Sequence, residues 1–67
     1  MEVKEFHVCR HGREARWVVR LGKSIYGSYL DKEQALLDAV DAARDAVQTG
    51  CQARVWVREQ ATAARVF

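Results

Sequence analysis

The chain has 67 residues, 49% of them apolar and 30% charged, with a formal net charge of +2. A domain of this length buries only about 60% of its unfolded surface, which leaves room for one core and one helix-on-sheet layer but no deep substrate cavity. This composition excludes disorder, and the length makes binding or assembly, with no small-molecule substrate, the expectation over catalysis.

Val3 to Arg10 alternates with the period of a strand, placing Phe6 and Val8 on one face and Glu5, His7 and Cys9 on the other. His11-Gly12-Arg13-Glu14-Ala15 is a polar, glycine-containing loop that predicts a hairpin. A second strand follows from Arg16 to Leu21, with Trp17, Val19 and Leu21 opposed to Arg16, Val18 and Arg20. Gly22-Lys23-Ser24 reads as a turn, and Ile25 to Tyr29 as a third strand interrupted by Gly27.

The strongest signal is helical. Asp31 is a good N-cap, and Gln34 stands three residues later as in a capping box. Gly50 is placed to end the helix in the left-handed conformation that needs no Cβ. Leu36, Ala39, Val40, Ala43, Ala46 and Val47 form the predicted apolar stripe, with Asp38, Asp41 and Asp45 opposite. Beyond Gly50 the period returns to two, with Ala53, Val55 and Val57 alternating with Gln52, Arg54, Trp56 and Arg58. Glu59-Gln60 is then a tight turn and Ala61 to Phe67 a last strand. The expected fold is a single α+β domain, β-β-β-α-β-β, with an antiparallel sheet of four to five strands and one helix packed on one face.

Met1-Glu2-Val3-Lys4-Glu5 lacks the apolar core of a signal peptide, and no run approaches the roughly 18–20 residues of a membrane span. The expectation is a cytoplasmic protein without membrane contact, its Cys9 and Cys51 both free thiols.

Charge is unevenly distributed. From Asp31 to Gln48 there are five acids against two bases, whereas the remainder carries nine bases against four acids. If Trp17, Val19, Val55 and Val57 face the helix, then Arg16, Val18, Arg20, Arg54, Trp56, Arg58 and Arg65 face away. Arginines around an aromatic on an open sheet suit an anionic partner, since guanidinium groups bind phosphate bidentately and an indole stacks on bases. The same residue types are enriched in protein interfaces, and an outward Trp56 with Val18 equally suits a homodimer whose sheets pack face to face.

Two resemblances are carried by these residues. His7-Val8, Trp17-Val18-Val19, Gly22, Tyr29, Asp31-Lys32-Glu33-Gln34-Ala35 and Val55-Trp56-Val57 resemble a family of very small bacterial domains of unknown function. Its pattern is roughly H-V, W-x-V, G, F-x-T-K-x-E-A, V-x-V. Typical members close with an Asp-Gly turn where Glu59-Gln60 stands here. Over about half the chain, Tyr26-Gly27-Ser28-Tyr29-Leu30-Asp31-Lys32-Glu33-Gln34-Ala35, preceded by Trp17 and Gly22, is similar to a strand-to-helix joint, L-G-T-F-D-T-x-E-E-A. That joint belongs to plant ethylene-responsive-type DNA-binding domains and to the arm-binding domains of tyrosine recombinases. The resemblance implies a three-stranded sheet laid into a DNA groove with the helix behind it.

Catalytic constellations are poorly supported. Arg10-His11-Gly12 matches the tripeptide of histidine phosphatases, but the only other histidine, His7, lies immediately upstream on the same strand. It reads as a basic hairpin loop. His7, Cys9 and His11, with Cys51 as a conceivable fourth ligand, are spaced about 6.5–7 Å apart along a strand, which strains a tetrahedral metal site. No catalytic residue, metal or cofactor is therefore expected. The expected activity is non-enzymatic binding of nucleic acid by a homodimer through Arg13, Arg16, Arg20, Arg54, Trp56 and Arg58. The alternative is a homodimerising or protein-interaction module with no nucleic-acid role.

Overall fold

A computed structural model describes residues 3–11, 16–59 and 62–67. The elements are β1 (Val3–His11), β2 (Arg16–Leu21), β3 (Ser24–Tyr29), α1 (Lys32–Gln48), β4 (Gln52–Glu59) and β5 (Thr62–Arg65). They form one five-stranded sheet in the order β3-β2-β1-β4-β5, with the helix on one face. Residues 12–15 of the predicted hairpin loop, Arg13 among them, and Gln60 and Ala61 of the predicted final hairpin lie outside the described residues, whereas His11, expected in the loop, is the last residue of β1.

The sheet is mixed, which corrects the expectation of a purely antiparallel one. β1 pairs antiparallel with β2, and β2 with β3, so β3 runs in the same direction as β1. The 17 residues of α1 rise about 25 Å, enough to carry the chain back to the end where β3 began. β4 therefore starts from that end and lies parallel to β1, with Phe6 opposite Val55 and Val8 opposite Val57. Parallel strands need such a crossover, and two-residue periodicity carries no information on strand direction.

The core is built where β1, β2 and β4 meet the helix. Phe6, Val8, Val19, Val55, Val57 and Ala53 point to it from the sheet, and Ala35, Ala39, Ala43 and Ala46 from the helix. The buried helical stripe is thus made entirely of alanine, rotated from the predicted one. Leu36 and Val40 are only half-buried on its flank, and Val47 is exposed. A helix that meets a valine-rich sheet through methyl groups approaches closely, and the larger side chains are displaced to the sides.

Both helix ends are satisfied locally. Asp31 accepts from the Glu33 N–H at 3.2 Å, while Gln34 turns away from the predicted capping box and donates to Asp38 at 3.2 Å. At the other end the Cys51 N–H bonds the Ala46 carbonyl at 2.9 Å and the Gly50 N–H bonds that of Val47 at 3.0 Å. This is the Schellman closure, and it requires the positive φ of 94° that Gly50 supplies. Among the described residues no helix is long and apolar enough to cross a membrane.

The alanine contact generates a test. Ala39 is fully buried beneath the helix, so Ala39→Leu is expected to cost about 1–3 kcal/mol through overpacking. Leu36→Ala, on the half-buried flank, should cost less. Urea denaturation of both variants would check the order, and the reverse order would refute the assigned helix rotation.

Candidate functional site

Strand register decides what the uncovered side of the sheet displays. His7 lies opposite Arg20 on β2 and opposite Trp56 on β4, and Trp56 lies opposite Arg65 on β5. One row across four strands is therefore Arg20, His7, Trp56, Arg65. The next row is Val18, Cys9, Arg58, Ala63, with Ser28 beyond Val18. Glu5 is opposite Arg54, and His11 opposite Arg16. Because Phe6, Val8, Val19, Val55 and Val57 face the helix, Glu5, His7, Cys9, Arg16, Val18, Arg20, Ser28, Arg54, Trp56, Arg58, Ala63 and Arg65 face away from it.

Of the six residues singled out from the sequence, Arg16, Arg20, Arg54, Trp56 and Arg58 thus share one face, and Arg13 lies outside the described residues. Arg65 joins them from β5. The described part of this face holds five arginines and a single acid, Glu5. Arg16, Arg20, Arg58 and Arg65 are exposed, whereas Arg54 is half-buried. Arg65 donates from Nε to the Phe67 carbonyl at 2.8 Å, which draws this guanidinium towards the β5 end.

Trp56 points outward as expected, but it is half-buried rather than free. Its indole N–H donates to Glu5 Oε1 at 3.1 Å, and Arg54 Nη1 approaches the same oxygen at 3.6 Å. One carboxylate thus anchors the ring and neutralises part of the adjoining cation. Sequence reasoning misses this role for Glu5, because it depends on the β1–β4 register. Val18 is only 5% exposed although no described helix or strand covers this face. Its neighbours on the sheet are Cys9, Ser28, Arg16 and Arg20, and arginine stems commonly cover apolar surface in this way.

Other groupings sit elsewhere. On the helix side, Trp17 has the Arg10 guanidinium at 5.9 Å and the Lys32 ammonium at 5.7 Å from its ring centroid, and Lys32 also pairs with Glu59. Tyr29 lies over Gly27, where an added Cβ would sit 2.8 Å from Tyr29 Cζ. A cleft of about 380 Å³ opens at the end of β1 and β2, lined by Val3, Lys4, Glu5, His7, Leu21 and Gly22, with no hydroxyl or thiol among them. Cys9 and Cys51 are both free and half-buried. Among the described residues no three histidine, cysteine or acidic side chains converge on a metal-sized site. Compared with protein-family models, curated proteins and solved structures, the chain matches none.

Burial pushes the Tyr29 phenol up from 10.0 to about 12, and donation to Asp38, the charge of that carboxylate and nearby Tyr26 add to the rise. Folding therefore favours the protonated phenol. The stability it contributes is present below pH 10 and is lost as pH climbs from about 10 to about 12. Urea midpoints across that window should fall less steeply for Tyr29→Phe than for the unaltered protein. Parallel slopes would contradict the assignment. Gly27→Ala places a methyl where that ring lies, so the ring has to swing aside and the fall between pH 10 and about 12 should shrink in this variant as well.

Proposed function

We propose that this chain is a small non-enzymatic, cytoplasmic domain that binds nucleic acid through the uncovered face of its sheet. The observation that carries the reading is the grouping of Arg16, Arg20, Arg54, Arg58 and Arg65 around Trp56, against a single acid, Glu5, among the described residues of that face. Guanidinium groups bind phosphate oxygens bidentately, and their summed field draws in a polyanion. The acids of α1 stand on the other side of the sheet, so the field is directional. Arg13, which lies between β1 and β2 in the sequence, completes the proposed binding set. The half-chain resemblance to a DNA-binding strand-to-helix joint points to nucleic acid as well, but the three-stranded sheet that it implies is here part of a five-stranded one.

A homodimer without a nucleic-acid role is the second reading. It is favoured by exposed apolar side chains on the helix, Leu37 at 61% and Val47 at 48%. A face-to-face dimer across Trp56 is less favourable, because it sets like-charged arginine rows against each other.

Fluorescence anisotropy with a labelled oligonucleotide tests the first reading. Affinity should fall steeply with added salt. Arg20→Ala with Arg58→Ala should weaken binding at least about tenfold at low salt and make the salt slope shallower by about 2. A flat salt response, or no binding at low salt, would reject a nucleic-acid role. Light scattering that finds a dimer, with no binding at low salt, would favour the second reading.

A further inference from the structure

We infer that the nucleic acid suited to this face is single-stranded, lying across the strands, and that it is held without base-specific readout. The inference rests on the nucleic-acid reading above and narrows it to a substrate class.

Width is the first argument. Neighbouring strands are about 4.8 Å apart, so the outer strands β3 and β5 lie about 19 Å apart. The major groove of B-DNA is only about 12 Å wide and the minor groove about 6 Å. A two-stranded ribbon enters such a groove, but here β4 and β5 extend the sheet beyond β1. A three-stranded unit of β1, β2 and β3 has no free edge on that side.

The placement of the cations is the second argument. On the open face β2 carries Arg16 and Arg20, β4 carries Arg54 and Arg58, and β5 carries Arg65, whereas β3 carries none. The arginines straddle β1. A backbone that meets both groups has to cross the strands, and the row Arg20, His7, Trp56, Arg65 spans about 14 Å at the usual strand spacing.

The third argument is the state of Trp56. Its only hydrogen-bonding group, the indole N–H, is already donated to Glu5. What the ring can offer a base is therefore its face. Stacking on an aromatic face needs an unpaired base and tolerates every base, since each has a π-surface. A duplex keeps its base faces within the helical stack.

Anisotropy titrations of the full chain at one low salt concentration distinguish the possibilities. The probes are a labelled DNA strand of about 12 nucleotides, within the range such surfaces cover, its blunt duplex, and the RNA strand of the same sequence. The single strands should bind at least about tenfold more tightly than the duplex, with little difference among strands of different sequence. Trp56→Ala should weaken single-strand binding roughly 5- to 150-fold, with a smaller effect on the duplex, and Trp56→Phe should restore most of the affinity. Circular dichroism checks the folding of both variants, and if Trp56→Ala fails to fold, the strand-against-duplex comparison on the unaltered protein still decides. Equal or tighter binding of the duplex would overturn the single-strand inference and leave the nucleic-acid reading standing. Binding to neither form would overturn both. A strong preference for one sequence would overturn the stacking mode.

Discussion

The parallel pairing of β1 with β4 is the constraint on which the remaining structure depends. It follows from the length of α1, which returns the chain to the starting end of the sheet before β4 begins. It makes β1 the central strand, with Phe6 and Val8 sandwiched laterally between apolar residues of β2 and β4. On the opposite face it places the arginines of β2 and β4 on either side of β1, and it brings Glu5 within reach of the Trp56 indole. The core and the basic face are thus two sides of one register.

Alanine on the helix is the counterpart of this arrangement. A helix buried through Ala35, Ala39, Ala43 and Ala46 sits close to the sheet, but a single helix, about 10 Å across, covers only the middle of five strands. β5 is exposed throughout, and β3 is exposed except at Gly27 and Tyr29. The sheet has one helix to cover one of its two faces, so the other face must remain compatible with water. Arginine meets that condition while its stem still covers apolar neighbours, which is consistent with Val18 being buried on an otherwise uncovered surface.

Much of the fold is legible in the sequence because it rests on local chemistry. Asp31 and Gly50 mark the helix ends, and alternation in β1, β2 and β4 separates the inward from the outward residues. The shared face of Arg16, Arg20, Arg54, Trp56 and Arg58 therefore follows from alternation alone. What depends on geometry over distance is not legible in this way. Alternation is the same for a parallel and an antiparallel strand, so it leaves the β1–β4 direction open. Helical periodicity finds an apolar side but not its centre, because the choice between Leu36 and Ala35 depends on how closely the sheet approaches. Glu5 reads as an ordinary outward acid, and only the parallel register makes it the anchor of Trp56.

That anchor bears on how the face can act. An exposed tryptophan free to rotate would lose side-chain entropy on stacking, a cost of the order of 0.5–1.5 kcal/mol for an immobilised side chain. Held by Glu5 and half-buried against β1, the indole has already lost much of this freedom on folding. Glu5 also has a cost, since it places one negative charge inside a basic surface beside Arg54. The two effects act on different quantities. Anchoring favours a stacked complex once contact is made, whereas the lone acid subtracts from the long-range field that the five arginines produce. In the proposed complex Glu5 therefore acts in two opposed ways, holding the indole in place and reducing the charge around it.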